Sequence, residues 1–82
     1  LGKLMIGETP KEMIEADMQV EIKAHADLKA AIRQADEIDH DKVTVHLLES
    51  ILASEEEHMD WLRKQLDLIA ALGEPLYLQG KM

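Results

Sequence analysis

No cysteine occurs among the 82 residues of this sequence. Disulfides, zinc–thiolate sites and thiol catalysis are therefore excluded. No run approaches the ~18 consecutive apolar residues of a membrane span, and no secretory-signal pattern is present. Proline and glycine are scarce, at two and four residues, and none falls between Lys11 and Leu72. Basic residues are outnumbered, with 9 Lys and Arg against 17 Asp and Glu, for a formal net charge of -8. A surface of that sign repels nucleic acid and anionic membranes and favours cations; charge alone is equally what solubility requires. There is no strand-like alternation, no internal repeat and no low-complexity tract. The chain opens on Leu1 without an initiator Met and reads as cut or processed from something longer.

What is present is globular in type: 46% hydrophobic and 32% charged residues, enough apolar material to exclude disorder. The length allows one small domain at most, and a chain this short is marginal on its own. With no cysteine and no targeting segment, a cytoplasmic location is expected.

Residues 1–8 carry no period and read as a lead-in. Thr9-Pro10-Lys11-Glu12 is a strong helix start: Thr9 caps, Pro10 suits the first helical position, and Glu12 completes a capping box. The spacing predicts a helix over about 10–38, ~42 Å long at 1.5 Å per residue. Asp39-His40-Asp41 is a polar break, and either aspartate can cap a second helix over about 41–72. Gly73 is a natural stop, Pro75 prevents continuation, and residues 75–82 form one more short helical piece. The short connection makes the long helices antiparallel neighbours. The fold class is all-α: a two-helix hairpin with a short C-terminal helix.

Both long helices are amphipathic. The first stripe reads Ile14, Asp17, Glu21, Ala24, Leu28, Ala31, Ala35, Ile38. The second reads Leu48, Ile51, Glu55, His58, Leu62, Gln65 with Leu66, Ile69, Leu72. A lone hairpin leaves much of these stripes wet, so further helices are expected from another chain or segment.

The informative residues are polar groups inside the stripes. At 100° per residue, Glu55 and His58 fall between Ile51 and Leu62, while Glu56 lies beyond the stripe edge and Glu57 on the opposite face. Glu21 sits between Asp17 and Ala24 on the first helix. An ionised carboxylate in an apolar interior costs several kcal/mol unless paired or metal-bound, so Glu21, Glu55 and His58 together ask for a cation. Carboxylates with one imidazole and no sulfur suit iron or manganese. Di-iron bundles take one Glu from each of two helices and Glu-x-x-His from each of the other two; this chain offers one of each, which is half a site. A lone Glu-x-x-His is more often a buried ion pair or a wet bundle edge, because the spacing is common on helices; inward Glu21 on the partner helix is what puts the metal reading on a par with these. Asp17 is an inward second-sphere group or a solvated helix-start charge. His25 is a rival ligand or a partly exposed helix residue. His40 and His46 are expected to be exposed, Trp61 to anchor packing at the stripe flank, and Met5, Met13, Met18, Met59 and Met82 to fill core or interface without a common face.

The string Glu55-Glu56-Glu57-His58-Met59-Asp60-Trp61-Leu62, continued by Gln65-Leu66-Asp67-Leu68-Ile69, strongly resembles the fourth helix of bacterioferritins. Leu1-Gly2-Lys3-Leu4 with Ile6-Gly7-Glu8 resembles the end of their long crossover, and Tyr77-Leu78-Gln79 their short fifth helix. The likeness covers nearly all of the chain and is most specific in its last 30 residues. It implies the C-terminal half of a ferritin-like domain, completing a four-helix bundle with another chain or fragment. It implies further that Glu21 is the di-iron Glu of the third helix, and that Glu55 and His58 are the Glu-x-x-His of the fourth. Bacterioferritins oxidise Fe(II) at an intrasubunit di-iron centre, store Fe(III) mineral in 24-subunit cages, and carry haem b on a Met of the second helix. Gln79 resembles a residue near their fourfold channel, but Leu76 departs from the polar residue often found there, so no channel residue is assigned. The first two helices, with their ligands and haem Met, are absent. Ferroxidase activity is thus expected only when an N-terminal half supplies them. Two other readings stay open: a homodimer in which two hairpins complete a di-metal site by symmetry, and a structural hairpin without metal.

Overall fold

The computed structural model describes residues 9–81, so the lead-in 1–8, its crossover-like strings, Met5 and Met82 lie outside the described residues. Helix α1 (Pro10–Arg33) begins at the capping box: the Glu12 amide donates to Thr9 Oγ1 (3.2 Å), and the Thr9 amide donates to Glu12 Oε1 (2.9 Å). Those bonds hold the Glu12 carboxyl below its ordinary range. The two polar bonds satisfy amides that a helix start otherwise leaves without partners.

The helix closes in a π-helical turn, Gln34–Ile38. The Asp39 amide donates to the Gln34 carbonyl (3.0 Å) and the Asp41 amide to the Ala35 carbonyl (2.8 Å). Wider π turns advance less than 100° per residue and shift the phase of the residues after them. Ala35 stays buried, while Ile38, expected on the packed stripe, is 67% exposed. His40 then takes φ 51°, a left-handed conformation that histidine tolerates better than bulky or β-branched residues. Asp41 caps α2 (Lys42–Leu72), accepting from the Thr44 amide (3.1 Å) and hydroxyl (2.6 Å). The Thr44 bonds lower the Asp41 carboxyl pKa. Across the same turn Lys42 pairs with Asp36, lowering that carboxyl and raising the lysine.

At Gly73 the chain adopts φ 80°, which ends α2 cheaply only for glycine. Helix α3 (Glu74–Lys81) follows at once. It is fastened to α2 by Tyr77, which is buried and donates its hydroxyl to Gln65 Oε1 (2.8 Å). Glu74 Oε2 accepts from the Lys11 amide (3.4 Å), so the start of α1 lies beside the end of α2 and the hairpin is antiparallel. The result is an elongated body of 51 × 22 × 18 Å. No helix of the described residues is long and apolar enough to cross a membrane.

The buried apolar residues are Ala35, Leu62, Ile69 and Tyr77, with Leu62 the one fully buried side chain among the described residues. Around them each long helix contributes a seam at alternating spacings of three and four. On α1 the seam is Ile14, Met18, Glu21, His25, Leu28, Ile32 and Ala35; on α2 it is Leu48, Leu52, Glu55, Met59, Leu62, Leu66 and Ile69. All are buried or half-buried. This corrects the single stripes read from the sequence, because Asp17 and Ala31 of α1, Ile38 of the π turn, and Ile51, His58 and Leu72 of α2 are exposed. The physical reason is stripe width. An apolar stripe wider than one seam touches two neighbours, and a hairpin covers only the half that faces its partner. On α2 the uncovered half is itself a seam: Leu47, Ile51, His58, Trp61, Leu68 and Leu72, all exposed.

Candidate metal centre

The packed seam carries Glu21 and Glu55 near the middle of the hairpin. His58 stands one turn along α2 from Glu55, at the edge of the open seam. Its ring Nδ1–H donates to Glu21 Oε2 across the helices at 2.7 Å. A carboxylate acceptor fixes this tautomer and leaves the Nε2 lone pair as the imidazole's donor to a metal. Glu21's side chain is largely covered, at 19% exposure, but His58's is 51% exposed, more than its place in the predicted stripe implied. The imidazole faces the side of α2 that α1 does not cover, the side on which α3 packs against Gln65 two turns further along.

Glu55 differs from both. Its Oε1 is buried and has no hydrogen-bond partner among the described residues. A buried acceptor without a donor costs about 1–3 kcal/mol, and natural proteins tolerate few of them. Such an oxygen is satisfied by a hydrogen-bond donor, an ordered water or a cation. Among the described residues, no three His, Asp or Glu side chains converge closely enough to hold a metal ion. The chain therefore brings together Glu21 and His58, holds Glu55 with one unsatisfied oxygen, and closes no site unaided.

The Glu55-Glu56-Glu57 run divides as its angles require. Glu56 turns to the opposite groove of the hairpin, where its Oε2 accepts from His25 Nε2 at 2.9 Å. That pair lines a cleft of about 340 Å³ with Met59, Asp60 and Arg63. Sequence reasoning missed this interhelical bridge and left His25 as a rival ligand. The signal was there in outline: His25 lies four residues beyond Glu21 on one seam, and Glu56 follows Glu55 by 100°. Asp17 is exposed, in keeping with a solvated charge near the helix start, and His40 and His46 are exposed as expected. Trp61, expected as a packing anchor, is 49% exposed, with its ring 6.3 Å from that of His58 at 33°.

The ferritin-like domain model matches residues 2–72 of the chain. The bacterioferritin of Mycobacterium leprae (strain TN) is 43% identical over 77 residues, covering 94% of this chain and 48% of that protein. The bacterioferritin of Streptomyces coelicolor is 44% identical over 78 residues, covering 95% and 46%. That of Brucella melitensis is 42% identical over 79 residues, covering 96% and 48%. The chain thus spans about half the length of the curated relatives it matches. Matched by the ferritin-like model over residues 2–72, this chain belongs to the ferritin-like family and is similar to the bacterioferritins over nearly its whole length.

Proposed function

We propose that this chain supplies one half of a di-iron ferroxidase centre in an iron-storing and iron-detoxifying protein, with Glu21, Glu55 and His58 as its metal ligands. The observation that carries the reading is the buried, unpartnered Glu55 Oε1 one turn from the Glu21–His58 pair. Likeness to bacterioferritins supports it.

Iron(II) is the substrate, and its oxidation to iron(III) is the chemistry the completed centre supplies. The chain's own residues hold and tune. Glu21 and Glu55 offer anionic oxygens in a largely covered seam, where charge attracts a cation more strongly than in water. The Glu21 bond orients the His58 ring. Leu62 and Met59 beside them help exclude water. A partner carrying the first two helices, an N-terminal half or a second polypeptide, would cover the open seam and contribute the remaining Glu and Glu-x-x-His. Assembly into a homo-oligomeric cage of 24 subunits in the cytoplasm, with haem b carried by the partner half, completes the proposal. Met18 and Met59 sit in the α1–α2 seam, so neither offers itself to haem on the open face.

The test is complementation. The chain is assembled with a fragment bearing the first two helices of such a bundle, and Fe(II) oxidation by dioxygen is followed. The wild-type pair oxidises iron rapidly, and the Glu55→Ala/His58→Ala pair does not. Equal rates would overturn the ligand assignment.

A further inference from the structure

We infer that His25 and Glu56 are a positioning pair for the metal centre: their bridge, on the groove opposite the ligands, holds α1 and α2 at the rotation in which Glu21 meets His58. The inference rests on the ligand assignment above and gives a role to two residues outside the ligand set.

The two interhelical bridges are reciprocal. On one groove α1 supplies the carboxylate and α2 the imidazole, with His58 Nδ1 2.7 Å from Glu21 Oε2. On the other α1 supplies the imidazole and α2 the carboxylate, with His25 Nε2 2.9 Å from Glu56 Oε2. In an antiparallel pair, the step from Glu21 to His25 and the step from His58 back to Glu56 run the same way, about 6 Å and about 3 Å at 1.5 Å per residue. The bridges therefore stand within one turn of each other and hold the hairpin from both sides, at the level of Glu55.

Packing does little to fix that level. Between Met18 and Leu28 the α1 seam carries Glu21 and His25, and between Leu52 and Leu62 the α2 seam carries Glu55 and Met59. Met59 alone of these is apolar, so the interdigitation that sets helix rotation elsewhere is interrupted where the ligands stand. Losing one bridge leaves α1 free to roll about the other. The His25 side chain is 19% exposed and that of Glu56 56%. Water therefore takes over Glu56 when His25 is replaced, so the change falls on position more than on the fold. A bridge this exposed biases an equilibrium by about two- to fivefold, and that is the scale expected for its effect on the centre.

Fe(II) oxidation by the chain assembled with a fragment bearing the first two helices tests this, together with nitrogen NMR of the His58 ring in the metal-free chain. In the wild type the His58 ring is expected to carry its proton on Nδ1. His25→Leu and Glu56→Ala are each expected to lower the rate at saturating Fe(II) by about two- to fivefold, and to shift the His58 ring toward the Nε2–H tautomer. The double variant is expected to lose no more than either single one, because the pair acts as a unit. His25→Gln, which keeps a donor for Glu56, is expected to hold both readouts near wild type. Ile14→Val, which weakens seam packing near the start of α1, is expected to move neither. Wild-type rate and tautomer in His25→Leu, additive losses in the double variant, or the same losses in Ile14→Val would overturn the positioning role. If that happens while the wild-type pair oxidises iron, positioning fails and the ferroxidase reading stands. A wild-type pair that does not oxidise iron overturns the ligand assignment and the positioning role with it.

Discussion

Replacing Glu55 by methionine should separate stability from metal binding. In the metal-free chain Glu55 Oε1 is buried without a donor, between Leu52 and Leu62 along the packed seam. Removing such an acceptor in favour of an apolar side chain of similar length relieves about 1–3 kcal/mol of desolvation cost. The residue as a whole is only half-buried, so the lower part of that range, about 1–2 kcal/mol, is expected. For a chain of this size each kcal/mol shifts Tm by roughly 4–8 °C. In protein complemented by a fragment that supplies the remaining ligands, metal reverses the order. At a concentration of Mn(II) one hundred times its dissociation constant, a site present only in the folded state gains about 2.7 kcal/mol, and Glu55→Met forfeits that gain. Thermal melts followed by far-UV circular dichroism should therefore cross: the variant melts higher in EDTA, the wild type higher in Mn(II). A variant that melts lower than wild type in EDTA would show that Glu55 is already satisfied and contributes to the fold. A wild type indifferent to Mn(II) would show that the oxygen does not await a cation.

Tyr77→Phe leaves Gln65 Oε1 buried without its donor and should cost about 1–3 kcal/mol in urea denaturation; adding Gln65→Leu to that variant should recover most of the loss. Acid should loosen the helix starts. Thr9 and Thr44 hold the Glu12 and Asp41 carboxyls below their ordinary values of 4.5 and 3.8, so their contribution is present above those values and lost as pH falls through the lowered ones. Asp41→Asn, which caps without titrating, should flatten that part of the profile of denaturation midpoint against pH. In complemented protein, His58→Ala should slow Fe(II) oxidation by about tenfold or more, whereas His25→Gln, on the opposite groove with Glu56, should leave the rate near wild type. Equal losses in the two variants would mean that the grooves are not functionally distinct.

The sequence by itself determined the helix ends and the misfit residues. Thr9, Pro10, Glu12, Asp41 and Gly73 act on backbone groups within four residues of themselves, so their effect needs no knowledge of the fold. Glu21 and Glu55 stood out as carboxylates at positions that helical periodicity turns inward, and local geometry was again sufficient. Only the tertiary structure decided which half of each apolar stripe packs. That depends on the rotation and axial register of α1 against α2, which no local rule fixes. The same register brings His58 to Glu21, 37 residues away in sequence, and His25 to Glu56, 31 residues away. It also leaves Glu55 with a buried oxygen and no protein donor. The π turn at Gln34–Ile38 shifted Ile38 out of phase, and Tyr77 reached Gln65 only because α3 folds back onto α2. Caps form between neighbours along the chain, whereas ligand pairs form between helices whose relative placement is set by the whole hairpin at once.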